Sequence, residues 1–215
     1  MRKSSYLILV INVISIGIGM YVLRYNSELI AYYAIDSSGS MHLAKSNLIL
    51  IGFIPFIVVG TMDLIATIEA EEIKPFIRYY DRLKFLLCFA FQLLYILIIA
   101  SQLLNINEKL ILGFTAAFII FYVGYTLQHI SHNQVIGFKN RWTLSEPYIW
   151  HKVHMRAQKL LYGLALIVVV LTVFQHVHVA KVLVILTMAI VIYLIFFSYS
   201  ESKKVQYQIQ IKKGD

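Results

Sequence analysis

The sequence predicts an all-α membrane protein with six transmembrane helices. Hydrophobic residues make up 60% of the 215 residues, and the mean hydropathy is +0.74. Six apolar runs are long enough to cross a hydrocarbon core of about 30 Å. They cover residues 5–23, 47–68, 83–104, 109–130, 159–178 and 181–199. Because a backbone in lipid must satisfy its own hydrogen bonds, and the alternating pattern of a membrane barrel is absent, each run is expected to be a helix.

The order of the runs suggests how the helices are connected. The first run follows Arg2 and Lys3 and has no small-residue cleavage site, so it is expected to remain as a signal-anchor helix. Pro55 lies inside the second run and predicts a kink there. The third and fifth connections are very short, which predicts two antiparallel hairpins. Without a linker or a clear internal repeat, residues 1–215 are interpreted as one membrane domain.

Lysine and arginine residues are concentrated at alternate ends of the six runs. Fifteen of the 19 lie at the N-terminus, in or beside the second and fourth connections, or in the tail. These are Arg2, Lys3, Lys74, Arg78, Arg82, Lys84, Lys139, Arg141, Lys152, Arg156, Lys159, Lys203, Lys204, Lys212 and Lys213. Since cytoplasmic loops carry the excess of positive charge, both termini are predicted to be cytoplasmic. The net charge of +8 then indicates anionic lipid as a partner, and the chain has no motif for direct nucleic-acid binding.

Several polar side chains interrupt the apolar runs. Asp63 lies in the second run, where an ionisable residue indicates a functional site by default. At the level of the lipid headgroups the same carboxylate would need no special role. Gln92, Gln102 and Gln128 are placed to hydrogen-bond between helices. Asp63, Gln92 and Gln128 therefore form a candidate intramembrane polar site, with structural hydrogen bonding as the alternative.

The longest polar segment between two apolar runs covers residues 131–159. Thr143 or Ser145 is predicted to cap a short interfacial helix, with Glu146 and Pro147 in its first turn. This helix is expected to continue into the fifth run.

The interfacial helix is predicted to have two distinct faces. At 100° per residue, Trp150 and His154 share one face, whereas Lys152, Arg156 and Lys159 lie on the opposite face. The basic face is expected to contact lipid phosphates, and the aromatic face is expected to pack on the other helices.

Two pairs of histidines, each spaced three residues apart, could share helical faces and bind a metal ion. The candidate ligands are His129, His132, His151 and His154, with Asp81 or Glu146 as an oxygen ligand. This spacing is easily met by chance, and no cysteine supports it. The sequence therefore predicts no metal and no cofactor, and these histidines are kept only as an alternative.

The stretch "NQVIGFKNRWTLSEPYIWHKVH" resembles the signature of the SdpI family of bacterial membrane proteins. The residues that match in order and spacing are Asn133, Gly137, Trp142, Thr143, Leu144, Trp150 and His154. The resemblance extends over residues 125–199, which hold the signature and the hairpin that follows it. Lys139 stands where the signature has Arg, and Arg141 stands where it has Pro. Positive charge is kept at residue 139, but the bidentate hydrogen bonding of Arg is lost.

Residues 1–70 resemble more weakly the domain that often precedes this signature. Gly39, Lys45 and Pro55 fit its pattern with spacing that differs by a few residues. Tyr32 or Tyr33 stands near the position of its usual histidine.

The resemblance implies an immunity protein of the bacterial plasma membrane, without enzyme activity, that gives resistance to a secreted, membrane-active peptide toxin. It also implies signalling by capture of a cytoplasmic transcriptional repressor. The outer segment, residues 24–46, would then meet the toxin, and the second and fourth connections would meet the repressor. Two alternatives remain. One is a small transporter or channel with a water-accessible path past Asp63 and the glutamines of the spans. The other is a metal-dependent enzyme embedded in the membrane.

Overall fold

A computed structural model describes residues 3–25, 45–104, 107–174 and 179–214. Its helices are α1 (Lys3–Tyr25), α2 (Lys45–Ile68), α3 (Ala70–Ile73), α4 (Ile77–Leu104), α5 (Glu108–Leu127), α6 (Pro147–Val173) and α7 (Val179–Gly214). A 3₁₀ turn, Lys74–Phe76, joins α3 to α4. The described ranges contain no strand, and the predicted all-α class is confirmed.

Six of these helices are long and apolar enough to cross a membrane, namely α1, α2, α4, α5, α6 and α7. The predicted interfacial helix is the first part of α6 and is continuous with the fifth span. The sixth run was predicted to end at residue 199, whereas α7 continues through the basic tail to Gly214. At 1.5 Å per residue α7 is about 54 Å long, so it extends well beyond a hydrocarbon core of about 30 Å. The cytoplasmic location of the termini stays a prediction.

The chain groups into two compact units. Unit 1 comprises Met1–Ile68 and Asp81–Thr115, and unit 2 comprises Glu69–Tyr80 and Ala116–Asp215. Each unit is described separately below. The interpretation of the chain as one membrane domain stays a prediction.

In unit 1, α1 and α2 pack together, and the α4 residue Tyr95 is completely buried against both. Its ring lies against Gly19 of α1 and Gly52 of α2. Glycines allow this close approach because they have no side chain, and small residues are common where membrane helices pack together. The small size of residues 19 and 52 therefore determines how closely the helices meet.

A second buried cluster of unit 1 joins Ile8 of α1, Val59 of α2 and Cys88 of α4. The Cys88 thiol lies 3.7 Å from the carbonyl oxygen of Pro55, to which it donates a weak hydrogen bond. Proline interrupts the hydrogen bonding of α2 because it lacks an N–H group. Cys88 thus packs beside the interrupted turn.

In unit 2, α6 packs against α7, which confirms the predicted hairpin of the fifth and sixth spans. The core contains Ile149, Val153 and Ala157 of α6 together with Leu194 of α7. These α6 residues recur every four positions, as expected for the buried face of a helix.

Some predictions concern residues outside the described ranges. They include most of the outer segment, with Tyr32, Tyr33 and Gly39. The side chains of Lys45 and Gln102 also lie outside the described part of the structure.

We expect Gly19→Ala to destabilise unit 1, because the added methyl group would overlap the Tyr95 hydroxyl. The expected loss is about 1–3 kcal/mol, as for other overpacked cores. Gly17→Ala is the matched control, since nothing lies within 4 Å of a methyl group at residue 17. Thermal unfolding of the purified protein in detergent measures both variants. Equal unfolding midpoints would contradict the packing described for Tyr95.

Candidate functional site

The connection between α5 and α6 is ordered by Asn133, whose buried side chain makes four hydrogen bonds. Its Oδ1 accepts the N–H groups of Val135 at 2.7 Å and Ile136 at 2.8 Å. Its Nδ2 donates to the carbonyl oxygens of Ser131 at 2.7 Å and Ile136 at 3.1 Å. A side-chain amide can donate two hydrogen bonds and accept two, so Asn133 is fully satisfied. It folds the chain into a tight turn.

Gly137 follows this turn with φ = +132°, a backbone angle that residues with a side chain rarely adopt. A Cβ atom at this position would lie 2.6 Å from His154 Nε2 and 2.8 Å from ring carbons of Trp150. Both the backbone angle and the lack of space therefore require glycine.

His154 connects the loop to α6. Its Nε2 accepts a hydrogen bond of 3.0 Å from the backbone N–H of Phe138. Nδ1 therefore carries the proton of the neutral ring, and it donates to the carbonyl oxygen of Trp150 at 2.8 Å. Both ring nitrogens are occupied, and the side chain is buried.

Trp150 lies beneath the same loop and is only 2% exposed. Its indole N–H donates to the carbonyl oxygen of Ile130 at 3.0 Å, and its ring stacks on His154 at 4.1 Å between centroids. The edge of the ring faces His132 at 5.3 Å. The loop thus packs on the side chains of Trp150 and His154.

A second turn is built by Asn140 and Thr143. Asn140 Oδ1 accepts the N–H groups of Trp142 and Thr143, and Thr143 Oγ1 accepts the N–H of Asn140 at 2.9 Å. Asn140 Nδ2 also donates to Ser198 Oγ at 2.8 Å, which ties the loop to α7. Asn140 was missed in the sequence, although Asn side chains commonly hydrogen-bond to the backbone two residues on in turns.

Three signature residues lie nearer the surface of unit 2. Lys139 donates to the carbonyl oxygens of Gln134 at 3.1 Å and Val135 at 3.0 Å, so its cation stabilises the first turn. Trp142 is half-buried and meets Tyr199 of α7 edge to face at 5.3 Å. Leu144 is 36% exposed. Packing within unit 2 therefore accounts less well for Leu144 than for the buried signature residues.

The predicted cap of α6 is wrong. The N-cap residue is Glu146, without a side-chain cap, and Pro147 occupies the first turn. Thr143 is used in the turn with Asn140, and Ser145 Oγ donates to the carbonyl oxygen of Trp142 at 2.8 Å. The two faces of the helix are confirmed, since Trp150 and His154 are buried whereas Arg156 and Lys159 are exposed.

The structure gives the candidate metal ligands separate partners. His129 Nδ1 lies 3.0 Å from the carbonyl oxygen of Tyr125, and its ring stacks on Tyr79 at 4.2 Å. His132 Nε2 lies 3.1 Å from the carbonyl oxygen of Leu144. Within the described ranges, no group of three His, Cys, Asp or Glu side chains could hold a metal ion.

Asp63 is part of a buried ionic cluster in unit 1. Its Oδ1 lies 2.6 Å from Lys84 Nζ and accepts a hydrogen bond of 3.2 Å from Ser5 Oγ. Ser5 Oγ in turn accepts from Lys84 at 2.8 Å. Asp81 adds a second carboxylate at 3.6 Å from Lys84. The Lys84 side chain is thus a buried partner of these carboxylates, with only 1% of it exposed, and its place on the cytoplasmic side stays a prediction.

Gln92, a residue of the candidate polar site in unit 1, makes no hydrogen bond to this cluster. Gln92 is buried, and neither atom of its amide group has a hydrogen-bond partner among the described residues. The predicted hydrogen bond between helices is therefore not formed there. Gln128 is half-buried in the turn that follows α5.

The six membrane-crossing helices define the class as a multi-pass membrane protein. Residues 129–200 match the model of the SdpI/YfhL protein family. The matched region begins just after α5, ends within α7 and contains all the signature residues named above, so the predicted resemblance is confirmed for this region. No curated protein and no solved structure matches the chain.

We expect Gly137→Ala to destabilise the loop by about 2–4 kcal/mol, because it combines an unfavourable backbone angle with overpacking. Limited proteolysis between residues 131 and 146 and thermal unfolding in detergent measure the effect. Gly163→Ala on α6 is the control, since nothing lies within 4 Å of a methyl group there. If both variants resist proteolysis as well as the parent protein does, the described contact of Gly137 with His154 and Trp150 is wrong.

We expect Lys84→Met to cost up to about 3–5 kcal/mol, because it leaves the partly buried Asp63 carboxylate without its cation. The double variant Lys84→Met with Asp63→Leu is expected to lose less, since the Asp63 carboxylate is no longer left without its cation. Lys74→Met is the control, because Lys74 belongs to an exposed pair worth at most about 1 kcal/mol. Chemical or thermal unfolding of the four proteins tests the pairing, which fails if Lys84→Met behaves like Lys74→Met.

Proposed function

We propose that the chain is an immunity protein of the bacterial plasma membrane that gives resistance to a secreted, membrane-active peptide toxin. The observation that carries this proposal is the SdpI/YfhL family match at residues 129–200, in a chain with six membrane-crossing helices. Signalling by capture of a cytoplasmic transcriptional repressor is the accompanying role. In this proposal the loop before α6 lies on the cytoplasmic side, and the segment at residues 24–46 meets the toxin.

The signature residues have two kinds of role in the loop. Most of them fix its conformation by buried contacts and hydrogen bonds, namely Asn133, Gly137, Thr143, Trp150 and His154. Leu144 instead presents an apolar side chain at the surface, where it is 36% exposed. Exposed apolar side chains on a rigid loop are suited to contact a partner. We assign partner contact to Leu144 and loop stability to the buried residues.

Expression in a toxin-sensitive bacterium tests the immunity proposal, with the secreted peptide toxin that a founding SdpI-family member neutralises as the challenge. The parent chain is expected to raise survival. Leu144→Ala is expected to leave this survival unchanged and to weaken capture of the repressor that a founding SdpI-family member binds about tenfold, as for loss of a central contact residue, when that repressor is co-expressed and pulled down with the membranes. Membrane levels of all proteins are measured by immunoblot.

Leu166→Ala is the matched control, because Leu166 is a 66% exposed leucine of α6 outside the loop. Trp150→Ala and His154→Ala are expected to lower survival, together with greater proteolysis of the loop. If the parent chain gives no protection against the toxin, the immunity proposal is rejected. If the parent chain captures the repressor and Leu144→Ala captures it equally at the same membrane level, the role assigned to Leu144 is rejected.

The two alternatives gain no specific support. A transport path would pass Asp63, yet this carboxylate is paired with Lys84 and Ser5 inside unit 1. A metal-dependent enzyme would need several converging ligands, whereas His154 has both ring nitrogens engaged by the backbone.

A further inference from the structure

A groove with an excess of positive charge lies between α6 and α7 in unit 2. Its walls are formed by His151, Lys152, Met155, Arg156, Lys159, Phe197, Glu201 and Lys204. Three lysines and one arginine face a single carboxylate there. None of these side chains belongs to the family signature, so the fold of the loop does not account for them.

Glu201 positions one lysine on each wall of the groove. Its side chain is only 4% exposed, and its Oε2 lies 2.9 Å from Lys152 Nζ while its Oε1 lies 2.7 Å from Lys204 Nζ. An ammonium group has three N–H donors, so each lysine keeps donors that Glu201 does not use. The buried carboxylate thus orients two cations towards the groove.

Arg156 and Lys159 add cations that have no carboxylate partner within the ranges that the structure describes. Arg156 and Lys159 follow Lys152 by four and seven residues, a spacing that places all three on one face of α6. The Arg156 guanidinium carbon lies 5.1 Å from the centroid of the Phe197 ring, which restrains the side chain by a cation–π interaction. Guanidinium and ammonium groups together are well suited to phosphate oxygens.

The surroundings favour a lipid as the source of the phosphate. Both walls belong to membrane-crossing helices. The face of α6 that carries Lys152 and Lys159 continues along the helix to the exposed apolar side chains Val170 and Val173. A molecule with a phosphate headgroup and an acyl chain matches both the basic groove and this apolar face. We infer that the groove binds the phosphate of an anionic phospholipid, with its acyl chain along the exposed face of α6.

Native mass spectrometry of the purified full-length protein in non-ionic detergent tests this site, with phosphatidylglycerol as the ligand and phosphatidylcholine as the neutral comparison. Phosphatidylglycerol is expected to bind more tightly. Arg156→Gln and Lys159→Gln are each expected to weaken its binding about tenfold, as for loss of a charge-assisted hydrogen bond. Lys203→Gln removes the same charge beside Lys204, but Lys203 lies over the Tyr199 ring and outside the groove. This control is expected to bind like the parent protein.

Glu201→Gln separates a positioned site from diffuse attraction. It raises the net positive charge by one, so diffuse attraction would strengthen binding of phosphatidylglycerol. Loss of the oriented lysines is expected to weaken it instead, by about tenfold. Unfolding midpoints confirm that the variants remain folded.

Three outcomes would overturn the inference. The first is tighter binding by Glu201→Gln. The second is an equal loss in Lys203→Gln and in both groove variants. The third is displacement of phosphatidylglycerol by inorganic phosphate at equal concentration, which would make the groove a site for free phosphate.

Discussion

The arrangement of unit 2 depends on the two hydrogen bonds of the His154 ring. One bond holds the backbone of Phe138 in the loop, and the other returns to Trp150 one turn earlier in α6. Because a buried polar group must be hydrogen-bonded, this ring determines how the loop crosses the start of α6. The glycine at residue 137 follows from the same contact, since its backbone lies directly against the ring.

In the rest of the loop, side chains also provide the hydrogen bonds that backbone groups need. Asn133 and Asn140 each satisfy backbone groups within three residues, which replaces the hydrogen bonds that a helix would provide. Asn140 also reaches Ser198, and Lys152 reaches Glu201, so α7 is linked both to the loop and to α6. These polar links lie at the end of α6 where the chain is least apolar, while Ile149, Val153 and Leu194 pack beside them.

In unit 1 a buried lysine is stabilised by polar side chains from two other helices. Lys84 is surrounded by Asp63 and Ser5, which come from α2 and α1. A buried charge is costly unless it is paired, so three helices must meet correctly for this cluster to form. The notch made by Gly19 and Gly52 around Tyr95 brings the same three helices close together. The ion pair and the packing at the two glycines therefore both stabilise the same arrangement of α1, α2 and α4.

The sequence by itself determined the six helices, the turn around Gly137, the two faces of α6 and the resemblance of residues 129–200 to the SdpI/YfhL family. These features depend on local composition and spacing, which the chain carries directly. Only the tertiary structure decided that Lys84 is a buried partner of Asp63, because 21 residues separate them in the chain. It also decided that Thr143 completes a turn instead of capping α6, and that Glu201 orients lysines from two helices. Asp63 and Lys84 come from different helices, as do Lys152 and Glu201, and spacing along the chain does not reveal which side chains the packing brings together.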